Sequence, residues 1–98
     1  MNNYSESLKN SFYKILCLFE EKNQGLTQYI GSLIYELHGL KYLLADESKL
    51  ISLIAIAEHL YDDSLQADVD LSEIKREVFH CIDMIEKMRL ADDTSWTI

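Results

Sequence analysis

Apolar residues return along this chain at helical intervals, in four runs separated by short polar stretches. The first run puts Leu8, Phe12, Ile15, Leu16 and Phe19 on one stripe, which predicts a helix from about Ser5 to Lys22. Asn23 to Gly25 then supply stop residues. Gly25 is the residue expected to take the left-handed conformation that ends a helix. The second run, Leu26, Ile30, Leu33, Leu37, Leu40 and Leu44, is a heptad seam widened by Tyr29, Ile34 and Leu43. Gly31 and Gly39 weaken such a helix by about 1 kcal/mol each relative to alanine, unless they admit a neighbour closely.

The third run, residues 50–61, is apolar on nearly every side, the pattern of a helix that touches neighbours on several faces. Asp46 or Ser48 is its expected N-cap. The fourth run follows Asp-Leu-Ser-Glu, which has the form of a capping box. In it Asp70 accepts from the Glu73 amide while Glu73 reaches back. Leu71, Ile74, Val78, Cys81, Ile85 and Met88 make a second heptad seam. The remaining tail has no period, and Trp96 and Ile98 are apolar residues in it, suited to docking on the bundle or to a contact site. Four amphipathic helices with short connections predict an all-α fold, a small antiparallel four-helix bundle in one domain over residues 1–98. Two long seams in so short a chain also suit a homodimer.

Composition narrows the classes. No prolines and three glycines in 98 residues leave too few turn residues for an all-β fold. Cys17 and Cys81 are too few for a disulfide scaffold and read as reduced core thiols. No stretch reaches the roughly 18 apolar residues of a membrane span. The N-terminus lacks a basic region followed by an apolar one. The expectation is a cytoplasmic protein with no membrane contact.

Charge is uneven. Residues 1–49 hold five lysines against six acids, whereas residues 50–98 hold four basic residues against eleven acids. Direct nucleic-acid binding needs a basic footprint, and this chain lacks one. An acidic surface instead attracts basic proteins.

Much of the acidity lies in residues 61–73, which carry Asp62, Asp63, Asp68, Asp70 and Glu73. A twelve-residue calcium loop counted from Asp62 would place Glu73 at the bidentate position, with Ser64 and Asp70 also at ligand positions. Gln66 and Ala67 break that pattern, because alanine stands where the sharp turn calls for glycine. Helix capping accounts for Asp70 and Glu73, which stabilise the next helix's N-terminus by about 0.3–1 kcal/mol each. It leaves Asp62, Asp63 and Asp68 unaccounted for, since acids near a helix C-terminus are unfavourable.

Catalytic patterns are weak. Glu77 and His80 have the Glu-x-x-His spacing of di-iron bundles, but such sites need two of these motifs, and these two residues flank the seam. His59 and Asp63, four apart, suit a surface ion pair. His80 and Cys81 are sequence neighbours and point to different sides of a helix. There is no glycine-rich phosphate loop and no nucleophile elbow. No enzyme activity, cofactor or metal is expected. Tyr13, Tyr35 and Tyr42 fall off the main stripes, where tyrosine serves either binding or padding of a small core.

The sequence therefore predicts a non-catalytic interaction protein whose acidic half engages a basic, nuclease-like or nucleic-acid-binding partner. Asp62, Asp63, Asp68, Asp70, Tyr61 and Trp96 are the expected contact residues. In size, helix content and acidity the chain is similar to small bacterial immunity and inhibitor proteins, a likeness of type without a matched motif. A homodimeric helical regulator or structural protein, and a calcium-binding helical module, are the alternatives.

Overall fold

The computed structural model describes residues 4–40 and 47–88. Four helices account for most of them: α1 (Tyr4–Glu21), α2 (Leu26–Leu40), α3 (Glu47–Ser64) and α4 (Leu71–Lys87). They pack antiparallel, with α1 chiefly against α4 and α2 chiefly against α3. Side-chain contacts fix the directions. The Tyr4 hydroxyl donates to Glu36 near the far end of α2. Lys9, early in α1, bridges to Glu86, late in α4, at 3.2 Å. Thr27 at the start of α2 meets Ser64 at the end of α3.

The seams supply the core. Leu26, Ile30, Leu33, Leu37 and Leu40 are all buried, as are Ile74, Val78, Cys81, Ile85 and Met88. Both stripes thus face inward within one chain, and a homodimer would have to use other surfaces. Burying an aliphatic or aromatic side chain of this kind contributes about 1.5–3 kcal/mol. No polar or charged residue is buried among the described residues, so the centre is wholly apolar. Cys81 is fully buried and Cys17 half-buried, and both are free thiols.

Several local details differ from the expectation. The left-handed residue that ends α1 is Lys22, with φ 54°, not Gly25. The Asn23 amide donates to the Leu18 carbonyl and the Lys22 amide to the Phe19 carbonyl, each at 3.1 Å. This pair of bonds is the Schellman motif. The helix ends before the glycine is reached, and Gly25 instead precedes α2, its carbonyl accepting from the Tyr29 amide at 2.9 Å. Ser48 lies inside α3 and so does not cap it, while Asp46 is outside the described residues. α3 is not apolar-packed all round: Ile51 is exposed, and α3 shares its burial between α2 and, less extensively, α4. At Gly31 an added Cβ would sit 3.5 Å from the Tyr61 ring, an ordinary contact, and at Gly39 it would meet nothing within 4 Å among the described residues. Neither glycine is required for helix approach. Tyr42, Leu43, Leu44, Trp96 and Ile98 lie outside the described residues.

Candidate functional site

The acidic stretch begins inside a helix. α3 runs through Asp62 and Asp63 to Ser64, and α4 starts at Leu71, which leaves six residues between them. The twelve-residue frame counted from Asp62 is therefore not a loop: its first three residues are committed to helical hydrogen bonding. The end of α3 tightens, with the Leu65 amide donating to the Asp62 carbonyl and the Gln66 amide to the Asp63 carbonyl. The Ser64 hydroxyl donates to the Tyr61 carbonyl at 2.6 Å. Having given its one proton there, Ser64 accepts from Thr27 at 2.7 Å. That chain of hydroxyls ties the end of α3 to the start of α2.

Asp70 caps α4, as expected, although its side chain accepts from the Ser72 amide at 2.9 Å and not from that of Glu73. The Glu73 amide goes to the Asp70 backbone carbonyl.

The predicted contact residues divide. Asp63, Asp68, Asp70 and Glu73 gather with Gln66, Val69 and Ile74 around one small cavity of about 140 Å³. Among the described residues no basic side chain lines it. A larger hollow of about 410 Å³ opens alongside, between this loop and the α1–α2 turn, lined in part by Phe19, Leu26, Val69 and Leu71. Tyr61 and Asp62 lie elsewhere, with Gly31, Ile34 and Glu58 on the α2–α3 side. Asp62 and Asp68 are exposed, and Tyr61 is half-buried. Trp96 is outside the described residues.

Two apolar residues missed by the sequence reading border the acids. Leu65 is 65% exposed and Leu71 is 42% exposed. Leu71 belongs by spacing to the inward seam. As the first residue of α4 it escapes burial, and Leu65 fell on no period. Tyr13 and Tyr35 are exposed as well, on α1 and α2.

Asp63 turns away from the outer patch, with its side chain only 16% exposed. Its Oδ2 lies 3.7 Å from His59 Nδ1 on the preceding turn of α3. The same Nδ1 is 3.1 Å from Glu77 Oε1 and 3.1 Å from Glu77 Oε2, across on α4. Glu77 thus pairs with His59 and not with His80, with which it shares only the Glu-x-x-His spacing. The hydrogen bond and charge of Glu77, and then the charge of Asp63, raise the His59 pKa above its ordinary value. Sequence showed the His59–Asp63 spacing. Glu77 enters only through the register of α4 against α3, which no local pattern encodes.

Among the described residues no helix is long and apolar enough to cross a membrane. The chain matches no protein-family model, no curated protein and no solved structure.

Proposed function

We propose that this chain is a non-catalytic binding protein whose acidic end engages a basic protein partner and occludes that partner's phosphate-binding surface. One observation carries the reading: four carboxylates surround a cavity that no cation lines among the described residues, and two exposed leucines belong to the same stretch of chain, Leu65 in the α3–α4 connection and Leu71 at the start of α4. Protein interfaces combine apolar anchors with a charged rim in this way. The carboxylates supply negative charge where a nucleic-acid groove receives phosphates. Leu65 and Leu71 supply area that excludes water.

On this reading the exposed acids make the contacts. Asp62, Asp68 and Glu73 are exposed and free to meet lysine or arginine, whereas Asp63 is engaged with His59. Association steered by such charges is fast and weakens with salt.

The test is capture from the host's lysate through a salt series, followed by association kinetics with the purified partner. A basic protein released as salt rises, whose on-rate falls about tenfold with Asp62→Lys/Asp68→Lys, supports the reading. An unchanged on-rate refutes the steering mechanism. Recovery of the bait's own untagged copies alone would assign the chain to self-association.

A further inference from the structure

The geometry points to a divalent transition-metal site, zinc being the best fit, formed by His59 and Asp63 of α3 and Glu77 of α4. It shares one residue, Asp63, with the carboxylates around the small cavity, while His59 and Glu77 lie outside that group.

Three observations carry it. First, one ligand atom from each of the three side chains lies within 4.8 Å of the other two. Second, the separations suit a tetrahedral ion. Bonds near 2.1 Å place neighbouring ligand atoms about 3.4 Å apart. His59 Nδ1 stands 3.1 Å from Glu77 Oε2 and 3.7 Å from Asp63 Oδ2, on either side of that value. Third, Asp63 Oδ2 is shut off from solvent and accepts no hydrogen bond among the described residues. A buried acceptor left without a donor is costly, more so when charged. One imidazole proton cannot serve two carboxylates at once, and it lies nearer Glu77. No lysine or arginine among the described residues pairs with Asp63 or Glu77. A cation at the centre of the triangle gives the orphaned oxygen its partner.

The donor set selects the ion. One imidazole nitrogen with two carboxylate oxygens suits zinc and its neighbours, whereas calcium and magnesium favour oxygen alone. Three protein ligands leave a fourth position for water. Binding replaces the Nδ1 proton and joins α3 to α4, a pair with less extensive packing than α2 and α3.

The test uses the full chain stripped of metal with a chelator and titrated calorimetrically with zinc chloride. The expected result is one equivalent of zinc, with affinity lowered at least about tenfold in each of His59→Gln, Asp63→Asn and Glu77→Gln. Asp62→Asn, one residue away and outside the triangle, should bind as the parent does. Cobalt provides a readout independent of stability, since a tetrahedral site gives intense visible absorption and those three variants should lose it. Circular dichroism confirms that each variant is folded. Absence of saturable zinc binding overturns the assignment, as does binding that survives all three substitutions, which would place the ion on other histidines. Calcium bound as tightly as zinc would likewise overturn it.

Discussion

Tyr13 of α1 and Phe79 of α4 meet on the outside of the bundle as tilted rings, 6.4 Å between centroids and 59° between planes. Both are partly exposed, so their worth lies more in ring-to-ring contact than in core burial. Tilted aromatic pairs at such distances add about 0.5–1.5 kcal/mol beyond area. A double-mutant cycle with Tyr13→Ala and Phe79→Ala should give a coupling of about 0.5–1 kcal/mol by urea denaturation. Additive losses would mean that the rings act independently.

Lys22 occupies a conformation that disfavours a β-carbon. Among the described residues no ion pair of its side chain compensates. Lys22→Gly should therefore raise stability by about 1 kcal/mol, measured as a higher urea midpoint at an unchanged slope.

Gly31 gives the opposite case, a glycine that the fold does not require. An added methyl group meets the Tyr61 ring at ordinary contact distance. Gly31→Ala should stabilise by about 0.5–1 kcal/mol through helix propensity alone. A lower melting temperature would show that the ring cannot accommodate the methyl.

Asp70 holds the first turn of α4 through the Ser72 amide. Asp70→Ala should lower stability by about 1 kcal/mol, and Asp70→Asn by much less, because asparagine caps nearly as well. Equal losses in the two variants would assign the effect to charge instead.

Burial pushes the Cys81 thiol up to about 12. Its unfolded value lies near the ordinary cysteine value of about 8.5. Between those values the unfolded chain releases this proton and the native chain retains it, so unfolding gains as pH rises. Stability should be flat below the unfolded value and decline above it, relative to Cys81→Ala, which lacks the group. A parallel course for the two proteins from pH 8 to 10.5 would contradict the burial. Thiol reagents should label Cys81 only as fast as the bundle opens.

The helices were legible because their apolar residues obey one period for many turns. Leu26 to Leu40 and Ile74 to Met88 declare an inward face, and the structure buries both. Boundaries were less legible where several residues competed for one role. Lys22 lies three positions before the glycine that composition favours. Ser48 resembles a cap but is held inside α3. The acidic stretch was visible as charge, yet its division was not. Asp62 and Asp63 are adjacent and therefore about 100° apart around α3, so one looks outward and the other toward α4. Which of them meets a partner depends on where α4 lies. The His59–Glu77 contact has the same character: eighteen residues separate the two, and only interhelical register joins them.

The pairing of α1 with α4 also sets an order of events during synthesis. α2 and α3 are consecutive and can close on each other as soon as both exist, while α1 lacks its principal apolar partner until α4 has been made. Leu8, Phe12, Ile15 and Phe19 therefore wait for α4 to complete their burial while the two intervening helices are made. Of the four helices, the first made is among those completed latest, because its main partner is the fourth.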